Sequence, residues 1–264
     1  MVREFENTGY WALILGGSTG LGLASAKKLA SHGMNIIVIH RDPRENLPDI
    51  EESFREIRER KVQLHTFNVD AIRKDKRENL IQEIKDILGP EGNIRTLLHS
   101  ISRGNLKPML GEDQTLTNSD FQQTIDAMAI SLYDWVKIVY EHELFAEDAR
   151  VISFTSEGNI KAWKNYAAVS AAKVALEAIT RSIALEFAPQ GVRANCILAG
   201  VTVTRSFQMI PGYETLRQHA VRRNPYRRLT TPADVANAVY LLSKDEASWI
   251  TGAIIPVNGG EHLK

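Results

Sequence analysis

The sequence predicts an α/β fold: a single doubly wound domain in which a seven-stranded parallel sheet is covered by helices on both faces. Three observations predict it. Short β-rich runs alternate almost throughout with longer stretches of helical period. The runs are apolar nearly end to end, as strands buried on both faces are. No repeat, low-complexity tract or Pro/Gly/Ser-rich linker interrupts the series, so residues 1–264 read as one domain. A strand that returns after a helix must cross over and pair in parallel.

Taken in order, residues 11–15 (WALIL) form the opening strand, and residues 21–32 follow with apolar positions at helical spacing. Residues 35–39 and 62–67 supply the second and third strands, residues 74–88 a helix. Gly89-Pro90-Glu91-Gly92-Asn93 is a helix-to-strand turn. The fourth strand is 96–100, followed by a long helix over 121–140. The fifth strand is 150–154, followed by a second long helix over 166–187. Strand 193–198, helix 233–243 and strand 253–257 complete the alternation. It breaks only at about residues 204–226, a long insertion expected to form a helical flap over a substrate site.

The bulk numbers exclude several function classes. Apolar residues make up 44% and charged residues 24% of the chain, an ordinary globular composition. Lys plus Arg and Asp plus Glu number 32 each, so no long-range field draws the molecule to nucleic acid or an anionic membrane, and neither is expected as a partner. The single cysteine, Cys196, cannot close an intrachain disulfide, and no Cys/His cluster stands at ligand spacing, so no metal is expected. Glu4 and Glu6 stand where a signal peptide would start basic and turn apolar. No apolar run approaches the roughly 18 to 20 residues that span a bilayer. A cytoplasmic location is expected.

Chemistry begins at Leu15-Gly16-Gly17-Ser18-Thr19-Gly20-Leu21-Gly22, which joins the first strand to the first helix. Glycines there permit a tight turn and bring backbone N–H groups close to a pyrophosphate at the positive end of the helix. In that context the motif predicts dinucleotide binding. Its spacing, G-x-x-x-G-x-G, resembles the opening of the short-chain dehydrogenase/reductase family, whose fold is Rossmann-type. Asn68-Val69 closes the third strand where that family places Asp-Val or Asn-Val beside the adenine. Gly200-Val201-Thr202-Val203-Thr204 resembles its nicotinamide-side segment, and Ile250-Thr251-Gly252 with Val257-Asn258-Gly259-Gly260 resembles its C-terminal motif, Asn258 replacing the usual Asp. The resemblance implies a cofactor site of Gly16, Ser18, Thr19, Gly20, Leu21, Gly22, Asn68, Val69, Ser100, Ile101, Lys173, Gly200, Val201, Thr202 and Thr204.

The end of the second strand bears on which cofactor, since an acid there binds the ribose hydroxyls and a base accepts a 2′-phosphate. It reads His40-Arg41-Asp42. Arg41 takes the position of the family's phosphate-binding arginine and Asp42 lies beyond the acid's usual place, which favours NADPH over NADH. Thr19, neutral where many NADPH enzymes carry a base, argues the other way.

Most members of the family carry Tyr-x-x-x-Lys. Here Val169 stands four residues before Lys173, and the nearest tyrosine is Tyr166. Seven helical residues turn about 700°, about 20° short of two turns, so the two side chains are expected on one helix face. Tyr-x6-Lys resembles the enoyl-acyl-carrier-protein reductase branch of the family. So do Leu98-His99-Ser100-Ile101 after the fourth strand and Ile130-Ser131-Leu132-Tyr133. The last leaves Ser131 where ketoreductases place a catalytic asparagine. Ser156 departs from that branch: it retains the ordinary family serine, 17 residues before Lys173, at the ketoreductase spacing. The expected catalytic set is Tyr166, Lys173, Ser156 and Ser131. Tyr166 is to donate to the enolate oxygen, and Lys173 is to hold the ribose hydroxyls and lower the phenol pKa.

Within the flap, Phe207, Met209, Ile210 and Tyr213 offer an apolar lining for an acyl tail. Six arginines (Arg205, Arg217, Arg222, Arg223, Arg227 and Arg228) stand between residues 205 and 228 against Glu214 alone, which suggests docking of an acidic acyl carrier protein near Arg217, Arg222 and Arg223. The family resemblance also implies a homotetramer. The resulting expectation is hydride transfer from NAD(P)H to a trans-2-enoyl thioester. A 3-oxoacyl or other carbonyl reductase, and a non-catalytic dinucleotide sensor, are the competing readings.

Overall fold

Seven strands, β1 (Tyr10–Leu15), β2 (Asn35–His40), β3 (Leu64–Asn68), β4 (Asn93–His99), β5 (Phe145–Thr155), β6 (Val192–Ala199) and β7 (Ile254–Val257), pair in parallel in the order β3-β2-β1-β4-β5-β6-β7. This is a computed structural model that describes residues 2–112 and 114–264; Met1 and Asp113 lie outside the described residues. β1 pairs with β2 on one side and β4 on the other, so the winding reverses there. The crevice beyond the carboxyl ends of these strands is where open α/β sheets bind ligands.

Alternation along each strand divides the core into two layers. On one face Leu13 and Leu15 pack with α3 (Lys74–Leu88), α5 (Ser131–Glu141) and α6 (Ala167–Glu186) through Leu80, Ile84, Trp135 and Leu176. On the other, Ala12 and Ile14 meet α1 (Gly20–Ser31), α2 (Leu47–Arg58) and α9 (Pro232–Ser243) through Leu29, Phe54 and Val239. A third, smaller cluster joins Met128, Tyr166, Val169 and Ala172 to Phe207 and Ile210 of the insertion after β6.

Several boundaries differ from the sequence reading. No helix is named there between the second and third strands; the structure has α2, which buries Ile50, Phe54 and Ile57 at helical spacing. The helix expected over 121–140 is two, α4 (Asn118–Ile125) and α5, joined by a π turn over Asp126–Ile130. Thr117 starts α4 with a capping box: its hydroxyl accepts from the Asp120 N–H, and the Asp120 carboxylate accepts from the Thr117 N–H. The insertion is helical as expected, with α7 (Arg205–Gln208) and α8 (Tyr213–Arg223). Thr204 caps α7 by accepting from the Phe207 N–H at 3.2 Å.

Candidate active site

The glycine turn is built by close approach. Gly16 has φ +85°, and a β-carbon there would stand 2.6 Å from the Ser100 carbonyl oxygen; one on Gly22 would overlap the Gly16 carbonyl. Only hydrogen fits at either position. Thr19, the residue before α1, makes no side-chain cap and the first turn holds no acid. The N–H groups of that turn, at the positive end of the helix dipole, are left for an anion.

From this turn a cleft of about 770 Å³ runs along the carboxyl ends of the strands. Gly16, Ser18, Thr19, Gly20, Leu21, Arg41 and Val69 line one end. Ser100 and Ile101 line it after β4. Ser156, Tyr166, Lys173, Gly200, Val201 and Thr202 line it further along, with Phe207, Met209 and Ile210 of the insertion, and Thr204 returns beside Gly20. A glycine cradle, a free helix N-terminus and a long cleft ending at Tyr166 and Lys173 fit a nicotinamide dinucleotide.

Four expected site residues stand outside that lining. Gly22 lies beneath the turn. Asn68 braces the strand ends: its Oδ1 accepts from the Asp42 N–H at 2.9 Å and its Nδ2 donates to the Asp42 carbonyl at 3.0 Å, and the residue itself is exposed. Ser131 is buried, donates to the Ala127 carbonyl at 2.8 Å and pairs with His99 Nε2 at 2.8 Å, so it orients His99 and does not reach the cleft. Tyr213 packs edge-on behind Phe207.

Tyr166 immediately precedes α6 with a non-helical backbone (φ −117°, ψ 2°), so the expected two-turn helical alignment with Lys173 does not apply. Both side chains nonetheless reach the cleft, because Tyr166 is turned in against Trp163, with ring centroids 5.2 Å apart. Burial raises the phenol's pKa, and the neighbouring Ser156 hydroxyl opposes this only in part. The net direction is upward, and Lys173 is not among the causes that oppose it. Ser156 Oγ is fully enclosed and has no hydrogen-bond partner among the described residues.

Lys173 Nζ donates to the Phe154 carbonyl at 2.6 Å. Burial draws its pKa down to about 8, against Cys196 and Glu177, which favour the ammonium. Glu177, one turn further along α6, is itself buried and accepts from Thr155 Oγ1 at 2.5 Å and from Asn159. His99 also lines the cleft, and burial, reinforced by the Lys173 charge, holds its pKa at about 3; it is a neutral imidazole. The motif His99-Ser100-Ile101 carried the signal for it.

At the opposite end, Arg41 and Arg103 converge on one oxygen of Asp70, at 3.0 and 3.3 Å. Asp42 is withdrawn onto His40 Nδ1 at 2.9 Å. Neither Arg103 nor Asp70 had a motif to announce it. In the insertion Arg217 and Arg222 are exposed, whereas Arg223 is turned inward onto Glu157 and Glu261. This corrects its expected place in a docking patch.

A family model described as "Enoyl-(Acyl carrier protein) reductase" matches residues 16–262. The enoyl-[acyl-carrier-protein] reductase [NADPH] FabI of Staphylococcus aureus is 27% identical over 261 residues, covering 98% of each chain. The oxidoreductase UcpA of Escherichia coli is 28% identical over 263 residues, covering 97% of this chain and 95% of its own. The crystal structure of the enoyl-[acyl-carrier-protein] reductase (NADH) of Aquifex aeolicus superposes with a TM-score of 0.84 at 23% identity, covering 98% of both chains. With its glycine turn, its seven-stranded parallel sheet and a family match over nearly its full length, this chain belongs to the enoyl-(acyl carrier protein) reductase-like family of short-chain dehydrogenases/reductases, oxidoreductases that use a nicotinamide dinucleotide.

Proposed function

We propose that the chain reduces the C=C bond of a trans-2-enoyl thioester with NADPH in preference to NADH, as an enoyl-acyl-carrier-protein reductase of fatty-acid synthesis. The observation that carries this reading is the spacing of Tyr166 and Lys173 within one cleft, with Val169, at the usual tyrosine position, packed into the apolar cluster beside them.

When bound, the reduced nicotinamide supplies the hydride. Addition at the β-carbon leaves negative charge on the thioester oxygen, and Tyr166 donates its hydroxyl proton there, burial having kept the phenol protonated at neutral pH. Ser156 supports the phenol. Lys173, anchored on the Phe154 carbonyl, holds the ribose hydroxyls. Trp163, Val169, Phe207 and Ile210 form the apolar wall for the acyl chain and exclude water, with Met209 at the mouth. Arg41, with Arg103 beside it, favours a 2′-phosphate. The exposed Arg217 and Arg222 receive an acidic acyl carrier protein. We take the working form as a cytoplasmic homotetramer; the half-exposed Tyr133, Tyr140 and Val174 on α5 and α6 support burial against another copy.

A 3-oxoacyl or other carbonyl reductase is the second reading, favoured by Ser156 lying against Tyr166. Tyr166→Phe tests the shared mechanism. Oxidation of NADPH by an enoyl thioester should fall about 100-fold or more, with cofactor affinity held within about twofold by fluorescence titration. Wild-type turnover in that variant removes Tyr166 from the reaction.

A further inference from the structure

Arg223, the last residue of α8, is the one insertion arginine that leaves the surface. Its Nη2 donates to Glu157 Oε2 at 2.6 Å and to Glu261 Oε1 at 2.7 Å. The side chains are 13%, 8% and 1% exposed respectively. Both carboxylates line the cleft. Glu157 directly follows Ser156, and Lys161 reaches it from one turn away at 3.4 Å. The other oxygen of Glu261 accepts from the Val201 N–H at 3.2 Å. Three separate segments therefore meet on one guanidinium: the turn after β5, the end of the insertion, and the C-terminal turn.

Both enclosed carboxylates are fully paired only while α8 is seated: withdrawing Arg223 leaves Glu261, 1% exposed, without a cation and Glu157 with Lys161 alone. The Val201 backbone is fixed through the same group. We propose that Arg223 is a positioning residue: through Glu261 it sets the Val201 end of the cleft, so that seating of the insertion and grip on the nicotinamide half of the cofactor are coupled. The proposal rests on the reading of the Gly200–Thr202 end as the nicotinamide end. It assigns Arg223 no contact with substrate or cofactor.

The test compares ligands with and without that half. Wild type, Arg223→Gln, Arg223→Lys, Glu261→Ala and Glu261→Gln are titrated with NADPH and NADH by fluorescence, and with 2′,5′-ADP and ADP by calorimetry. In Arg223→Gln and Glu261→Ala the Kd of the better reduced cofactor should rise about 10-fold, while the nicotinamide-free ligands stay within about twofold. Arg223→Lys, which keeps the charge, and Glu261→Gln, which keeps an acceptor for Val201, should recover to within about threefold of wild type. A merely structural role would weaken all ligands together or none. Should Arg223→Gln fail to fold, the Glu261 pair carries the same comparison. Unchanged reduced-cofactor affinity in the variants, or parallel loss of 2′,5′-ADP, overturns the coupling alone. A wild type that binds neither reduced cofactor overturns the reading of the cleft and the proposal with it.

Discussion

Tyr166, Lys173 and His99 are buried side chains lining one cleft, yet burial acts on them in opposite senses. It raises the phenol and lowers the ammonium and the imidazole, because in each case the neutral form is favoured. Tyr166 is therefore an acid throughout the neutral range. Lys173 loses its charge as pH rises through about 8, whereas His99, at about 3, does not titrate near neutrality. The turnover profile should be flat between about pH 5.5 and 7 and decline as Lys173 deprotonates above that range. A rise or fall centred near the ordinary histidine pKa of about 6.5 would give His99 a protonic role that this account denies.

At the scale of elements, much was legible because burial on both faces leaves apolar runs that read directly as strands. The glycine turn was legible for a related reason: where only hydrogen fits, as at Gly16 and Gly22, residue identity reports geometry. Helix α2 was less visible, since only Ile50, Phe54 and Ile57 face inward from a strongly charged segment. The π turn over Asp126–Ile130 left no mark that separates it from an α-helix. Tyr166 read as helical because its neighbours are, although its own backbone is not. Side-chain direction was the larger gap. Ser131 and Arg223 each stand at positions that suggest contact with a ligand, and each is spent on the protein itself. The Arg41–Asp70–Arg103 group is assembled from loops after three different strands, which no local spacing encodes.

Across the whole molecule, the end of the sheet away from the cleft is held by Asp148. Arg95 of β4 reaches it at 2.9 Å, Arg150 of β5 at 2.8 Å, and Arg193 of β6 also pairs with it. The same arginines donate to the carbonyls of Leu242, Ser243, Lys244 and Ser248, closing the C-terminal end of α9 and the turn beyond it. Burial pushes the Asp148 carboxyl up, but the hydrogen bond from Arg150 and the three charges outweigh it and hold it below its ordinary value. A depressed carboxyl pKa contributes stability that is present above the unfolded value of about 4 and lost as pH falls through the folded one. Asp148→Asn should lower the Tm at pH 7 by about 4 °C and flatten the dependence of Tm on pH below about 5. An unchanged Tm with an unchanged acid limb would show that the cluster adds nothing net.

The central claim, that this Tyr166–Lys173 cleft serves C=C reduction, is tested most directly by cofactor oxidation with a crotonyl or longer enoyl thioester against the matching 3-oxoacyl thioester, each with NADPH and NADH. The account predicts a kcat/KM for the enoyl substrate at least about 100-fold above that for the 3-oxo compound, with NADPH the better donor. A preference for the 3-oxo substrate would contradict it and assign the cleft to carbonyl reduction.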